Sequence, residues 1–180
     1  MIINIIGGCD DLIMSQSELN AYIENYVSEL KQDEDELHSG ATKCGICEAA
    51  SLAAQKYKLR IEGFVASIAI KKGILDPNYD RINIIKGNWG DEIIPCISEF
   101  EKRGKERVLT LCFDGGNLTK RFAEELIRRN FSVLLIKGSK RATDELIKEY
   151  SGKENVFVAD LDDVAAVHRI ISEHKAKGES

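Results

Sequence analysis

A glycine-rich turn between an apolar run and an amphipathic segment is the clearest candidate for chemistry in this sequence. The run from Val108 to Phe113 predicts a strand, and it ends in the polar turn Asp114 to Asn117. A helix is predicted to begin near Thr119. Glycines let a ligand approach the backbone, and the free N–H groups and dipole of a helix N-terminus favour an anion. The pattern indicates an anion-binding loop, with a simple tight turn as the alternative.

Similar loops follow the other predicted strands and carry most of the small, hydroxyl-bearing and cationic residues that could hold a phosphate. Ligands of parallel sheets bind outside the carboxyl ends of the strands, so these loops should meet at one edge. Flexible backbone, hydroxyls and positive charge together suit a phosphate-bearing ligand. The candidate ligand-binding residues are Gly7, Gly8, Gly40, Ala41, Thr42, Cys44, Gly45, Lys86, Asn88, Trp89, Asp114, Gly115, Gly116, Asn117, Thr119, Gly138, Ser139, Lys140, Arg141 and Asp144.

Two of these residues have more than one interpretation. Asp114 would repel a phosphate, but it could accept hydrogen bonds from ribose hydroxyls, as acidic residues do in other nucleotide sites. It could equally cap the turn that follows it. Trp89 could stack on a base or pack beneath its own loop.

The elements that position these loops alternate between apolar runs and helical periodicity. The predicted strands are 1–6, 37–39, 59–65, 81–85, 108–113, 132–136 and 155–159, and helices are predicted over 15–30, 46–57, 93–104, 143–150, 160–174 and from 119 onward. Segment 66–80 has no clear period and is a candidate flexible or ligand-covering loop. Continuous apolar strands predict an α/β protein, a Rossmann-like, doubly wound, mostly parallel sheet with helices on both faces.

Length and composition limit the possible classes of protein. A chain of 180 residues predicts a single domain, assigned to 1–175, with a frayed tail at 176–180. The net charge of -5 argues against nucleic-acid or membrane-surface binding. The start of the chain does not resemble a signal peptide, and an odd count of five cysteines favours reduced thiols, so we expect a cytoplasmic protein. A homo-oligomer is expected.

Four segments together resemble a known family. They are the glycine-rich turn and helix start 39–46, the tryptophan loop 88–92, the turn 114–116 and the segment 138–144. This order is similar to the SLOG superfamily, in particular its LSDAT branch, which is similar to the N-terminal cytosolic domains of TRPM channels. LOG phosphoribohydrolases and the DNA-processing protein Smf are more distant relatives. The resemblance implies a Rossmann-like sheet that binds nucleotides or their derivatives, ADP-ribose-like ligands among them.

The chain departs from the LOG enzymes at the position that matters for catalysis. Their signature Pro-Gly-Gly-x-Gly-Thr-x-x-Glu aligns its first glycines with Gly115-Gly116 and its threonine with Thr119. Leu118 replaces the third glycine, and Asp114 replaces the proline. Phe122 stands where the catalytic glutamate would be, and a glycosidic hydrolase needs a carboxylate at the sugar. The resemblance therefore implies binding without the usual chemistry.

Three functions remain open from the sequence. The first is a sensor that binds a nucleotide-derived small molecule, with no cofactor required and no metal site. The second is an N-glycosidic hydrolase in which Asp114 or a nearby carboxylate is the catalyst. The third is thiol redox chemistry at Cys44 and Cys47, a C-x-x-C at a predicted helix start, although small buried cysteines are the simpler interpretation. His38 lies beside the first ligand loop, whereas His168 fits a core or subunit interface.

Overall fold

The computed structural model describes residues 1–9 and 14–178, and within them seven strands form one sheet. The strands are β1 (Ile2–Gly7), β2 (Glu36–Ser39), β3 (Arg60–Ala66), β4 (Arg81–Ile85), β5 (Val108–Phe113), β6 (Ser132–Lys137) and β7 (Val156–Asp160). The helices are α1 (Gln16–Val27), α2 (Gly45–Tyr57), α3 (Ile68–Lys71), α4 (Ile93–Arg103), α5 (Asn117–Arg128), α6 (Arg141–Tyr150) and α7 (Val164–Gly178). The predicted Rossmann-like α/β fold is confirmed.

The strand order β4-β3-β2-β1-β5-β6-β7 sets where a ligand can bind. Every pairing between neighbouring strands is parallel, so all seven carboxyl ends lie on one edge. The chain runs outward in one direction from β1 to β4 and in the other direction from β5 to β7. The order therefore reverses between β1 and β5, and such a reversal opens a crevice at the carboxyl edge.

Alternation along the buried strands divides the core into two layers. Ile3 and Ile5 of β1 pack with α1, α2 and α7, whereas Ile2 and Ile6 pack with α4, α5 and α6. Successive side chains of a strand point to opposite faces, so an apolar run can supply both layers. The helices are held against the sheet by burial of their apolar stripes.

Local signals fix several helix ends where the sequence predicts them. The Ser15 hydroxyl accepts from the Glu18 N–H and the Glu18 carboxylate accepts from the Ser15 N–H, which is a complete capping box. Pro95 lies in the first turn of α4, where its missing N–H costs nothing. Gly104 ends that helix at a φ of 95°, a conformation that glycine adopts without strain.

Three predictions about the elements are wrong. Segment 66–80 contains α3, and its residues 74–76 are tied to the first ligand loop by the bonds Lys43 N–H to Ile74 O (2.8 Å) and Asp76 N–H to Ala41 O (3.0 Å). The final helix begins at Val164 rather than at residue 160, because β7 runs through Asp160. Residues 176–178, which the sequence predicts as part of a frayed tail at 176–180, belong to α7, because that helix continues to Gly178; residues 179–180 lie outside the described residues. No helix in the described part of the chain is long and apolar enough to cross a membrane.

Candidate functional site

The turns after β1 and β5 meet at the point where the strand order reverses. The Thr119 hydroxyl, in the first turn of α5, donates to the Gly7 carbonyl over 3.1 Å. A Cβ at Gly7 would lie 2.2 Å from the Phe113 carbonyl oxygen, so only glycine fits here. This close approach brings the two predicted ligand loops together, as the topology requires.

A cavity of about 150 Å³ opens beside this junction, below the carboxyl ends of β1, β2 and β3 and beside the first turns of α4 and α5. Most of the atoms that line it are apolar. Several of the predicted ligand residues form its rim, and mid-strand side chains form its deeper part. The rim includes Gly7, Gly40, Thr42, Trp89 and Thr119, and the further lining includes Asn4, His38, Phe64, Glu92, Ile93, Cys96, Leu118 and Phe122.

Two polar side chains lie in the deeper part of the cavity. Asn4 and His38 are paired in register on β1 and β2, and they are only 1% and 2% exposed. The Asn4 amide nitrogen donates to the Thr110 hydroxyl over 3.1 Å. The His38 ring packs edge-on against Phe100 at 4.8 Å between ring centroids. Burial, with a smaller contribution from Arg103, lowers the pKa of His38 to about 3, so its imidazole is neutral.

Phe122 and Glu92 determine what chemistry the cavity can do. Phe122 lines it, in agreement with the prediction that an apolar ring replaces the catalytic glutamate. Glu92, the last residue of the tryptophan loop 88–92, is the carboxylate among the described lining residues. Its Oε2 accepts from the Gly90 N–H over 2.9 Å. Burial raises the pKa of Glu92, and the backbone hydrogen bonds oppose that rise.

The N-terminus of α5 is open at the edge of this cavity. Gly116 is its N-cap residue and, having no side chain, makes no side-chain cap. Asn117 is exposed, and the amides of the first helical turn have no partner within a helix. A Cβ at Gly116 would meet Arg141 Nη2 at 3.3 Å, so the guanidinium lies directly beside the turn. A cation and an uncapped helix start therefore adjoin each other.

Asp114 lies within a network that holds the loops after β5 and β6 together. Its N–H donates to the Ser139 hydroxyl over 2.8 Å, and its carbonyl accepts from the Thr143 hydroxyl over 2.8 Å. The Gly138 N–H donates to the Asp144 carboxylate over 3.1 Å. Ser139 and Asp144 thus stabilise the loops themselves, and their role in ligand binding stays a prediction.

The Asp114 carboxylate faces Arg141 rather than the cavity. Its Oδ1 is 3.7 Å from Arg141 Nε, and its side chain is buried. Burial raises the pKa of Asp114, while the Gly115 N–H and the Arg141 guanidinium act in the opposite direction. Since Asp114 is absent from the cavity lining, Glu92 is better placed than Asp114 to act on a group inside the cavity.

Backbone strain is concentrated in the predicted ligand loops. Ala41, Asp114, Lys140 and Arg141 all have a positive φ, between 53° and 71°. Residues other than glycine adopt this region rarely, and each instance costs energy that the surrounding structure must supply. Such conformations gather at binding sites, where they aim backbone and side chains at a ligand.

The cysteines differ from the prediction of reduced thiols. Cys9 and Cys44 form a disulfide, with their Cα atoms 5.1 Å apart, because β1 and β2 are neighbours and end beside each other. The Ile46 N–H donates to the Gly8 carbonyl over 3.0 Å and joins the same two turns. The hypothesis of a Cys44–Cys47 redox pair is therefore wrong in this structure, and Cys47 is a free, buried thiol.

The remaining predicted residues lie around the rim. Lys86, Asn88 and Lys140 are exposed at the carboxyl edge and do not line the cavity. Gly8, Ala41 and Gly45 are buried in the turns. Asn4 and Glu92 are the residues that sequence reasoning missed. Asn4 could have been noticed in the sequence, because it is the polar residue inside the apolar run 1–6.

Comparison with known proteins agrees with this fold. Residues 1–177 match a family model described as SLOG in TRPM, prokaryote. The molybdenum cofactor carrier protein of Chlamydomonas reinhardtii is similar in structure, with a TM-score of 0.73, 16% identity and 98% of each chain covered. So is the molybdenum cofactor binding protein of the phototrophic bacterium Rippkaea orientalis, with a TM-score of 0.71, 14% identity, and 96% of this chain and 95% of that chain covered. None of the curated proteins matches the chain.

Proposed function

The chain belongs to the SLOG family, in the prokaryotic branch related to TRPM channels, and from that premise we propose that it binds a phosphate-bearing small molecule that also contains a flat ring. The observation that carries the proposal is the uncapped N-terminus of α5 beside Arg141, at the edge of an apolar cavity. An anion is stabilised at such a helix start, and the guanidinium adds two directed donors.

The cavity is large enough for only one part of such a ligand. Ligand pockets for drug-sized molecules enclose roughly 300–1,000 Å³, so a cavity of about 150 Å³ holds only one portion of the ligand. Its apolar lining favours a ring there. The phosphate then lies outside the cavity, near the first turn of α5, and the exposed Lys140, next to Arg141 in the chain, adds positive charge there.

Two classes of such ligand are suggested, one by the family and one by the similar structures. The first is a nucleotide derivative, ADP-ribose-like or another phosphorylated nucleoside, which the family suggests. The second is the molybdenum cofactor, a phosphorylated pterin, which is named for the two similar structures. The uncapped helix start suits the phosphate of either ligand, and the apolar cavity suits either ring. We favour a nucleotide because Asp114, beside Arg141, can accept hydrogen bonds from ribose hydroxyls.

We propose binding rather than turnover as the main activity. Phe122 presents an apolar ring to the cavity where a LOG enzyme would have its glutamate, and Asp114 is turned toward Arg141. One observation favours hydrolysis as a second candidate: Glu92 lines the cavity with a raised pKa. A carboxyl group whose pKa is raised by burial is better suited to general acid–base catalysis than one in water.

A ligand screen by thermal shift tests the binding proposal. The panel contains ADP-ribose, NAD, AMP, IMP and isolated molybdenum cofactor. A ligand at a hundredfold excess over its dissociation constant stabilises the folded state by about 2.7 kcal/mol. We expect at least one member of the panel to raise the unfolding temperature. No stabilisation by any member would contradict the proposal.

A variant pair then locates the phosphate. Gly116→Val places a branched side chain against Arg141 at the start of α5, and Gly116 has no positive φ that would make the substitution strained. Gly152→Val is the matched control, because a Cβ at Gly152 meets nothing within 4 Å and also needs no positive φ. We expect the stabilisation to be lost in the first variant and kept in the second. Equal affinities in both would remove the α5 turn from the site.

A further inference from the structure

Two residues of the cavity lining each carry one buried polar atom for which the described chain supplies no hydrogen-bond partner. They are Asn4 Oδ1 and His38 Nδ1. The side-chain amide nitrogen of Asn4 already has a partner, because it donates to the Thr110 hydroxyl. A buried polar atom without a partner costs free energy, so natural folds rarely keep one unless something outside the chain satisfies it.

The two atoms belong to side chains that sit next to each other. Asn4 and His38 are register partners on neighbouring strands, which lie about 4.8 Å apart in a sheet. Both line the same cavity. One flat group with two adjacent hydrogen-bonding positions along its edge can therefore meet both side chains at once. A single methyl or phosphate group does not have that shape.

The surroundings favour an aromatic group over a small polar one. Phe64, Phe122 and Ile93 provide apolar wall. A cavity of about 150 Å³ is the size at which an engineered apolar cavity takes up a benzene ring. Asn4 lies three residues before the end of β1, so the polar atoms are roughly 10 Å below the rim. A ring that enters edge-first reaches them while the rest of its molecule stays at the rim.

We propose that Asn4 and His38 form a subsite that recognises the donor–acceptor edge of a purine-type ring. The proposal rests on the function proposed above, because the phosphate of the same ligand lies at α5. Asn4 Oδ1 accepts from a ring N–H or an exocyclic amine. His38 Nδ1 takes the complementary part, donating or accepting according to the tautomer of the neutral imidazole. An alternative in which a buried water joins the two atoms predicts no preference among rings.

The test compares three probes that differ in the ring edge with one that lacks the ring base. The probes are AMP, IMP, purine riboside 5′-monophosphate, which has no exocyclic group, and ribose 5-phosphate, which has no ring base. We expect wild-type protein to bind AMP or IMP at least roughly tenfold more tightly than either of the other two in calorimetric titration. The His38→Phe and Asn4→Leu variants should lose that preference and bind purine riboside 5′-monophosphate within about twofold of wild type.

A third variant separates recognition from loss of stability. Phe100 packs against His38 but does not line the cavity, so Phe100→Leu weakens the same region without changing the polar atoms. It should keep the preference for AMP or IMP. If all four probes bind alike, or if His38→Phe keeps the preference, the subsite proposal is overturned while phosphate binding stands. If none of the probes binds, the subsite proposal is overturned, and the binding proposal is overturned with it unless ADP-ribose, NAD or molybdenum cofactor stabilises the protein in the thermal-shift panel.

Discussion

Replacement of His38 by phenylalanine should change how the stability of the protein depends on pH. His38 is fully buried between aromatic rings, and its imidazole cannot take up a proton without a large desolvation cost. Its pKa falls from an ordinary 6.5 to about 3 in the folded state. Phenylalanine keeps a ring of similar shape against Phe64 and Phe100 and has no proton to bind.

The sign and size of the effect follow from proton linkage. The folded pKa of His38 is depressed, so the unfolded chain binds the proton first as the pH falls below 6.5. The stability present above pH 6.5 is then lost progressively toward the folded pKa of about 3. Between about pH 8 and about pH 5, protonation of His38 in the unfolded chain should lower the free energy of unfolding of wild type by about 2 kcal/mol. This figure changes little if the folded pKa is a unit higher, because the imidazole would still be mostly neutral at pH 5.

Urea unfolding of both proteins at the two pH values measures this difference. Wild type should lose about 2 kcal/mol more than His38→Phe, equivalent to roughly 4–8 °C in unfolding temperature. Burial also lowers the pKa of His174, but His174 is present in both proteins, so its contribution cancels. An equal loss in both proteins would refute the conclusion that His38 is held neutral in the folded state.

Three further predictions concern the rim. Arg141→Lys should weaken phosphate binding by roughly 1–3 kcal/mol in calorimetric titration, because lysine cannot form two parallel hydrogen bonds; equal affinities would place Arg141 outside the site. Incubation with AMP, IMP, NAD or ADP-ribose should release no free base that chromatography can detect. Release that disappears in Glu92→Gln but persists in Asp114→Asn would instead identify a hydrolase that uses Glu92. The Cys9–Cys44 disulfide spans a sequence separation of 35 residues, and a loop of that length stabilises the fold by about 4 kcal/mol in the chain-entropy model. A reductant should therefore lower the unfolding midpoint of wild type and leave that of Cys9→Ser unchanged. If the wild-type midpoint is the same with and without reductant, the disulfide does not form.

The sequence alone determined the class of fold and the edge on which the special residues lie. Apolar runs that alternate with helical periodicity can be buried only as parallel strands between two helical layers. Parallel strands bring their carboxyl ends together, so the loops at Gly7, Gly40 and Thr119 had to share one rim, and they do. The apolar character of the cavity at Phe122 was also predictable, because a helix beginning near Thr119 turns that residue toward the sheet.

Only the tertiary structure decided which side chains meet within that rim. Cys44 pairs with Cys9 rather than with Cys47, because the order of the strands decides which turns are neighbours. The spacing of residues along the chain does not reveal that order. Asn4 and His38 are 34 residues apart in the sequence, yet the register of β1 and β2 places them side by side. Asp114, the predicted carboxylate of the site, faces Arg141, and Glu92 lines the cavity instead. The direction of a side chain depends on the packing of helices and loops around it. A local pattern fixes the type of an element, whereas long-range packing fixes which of its atoms face a ligand.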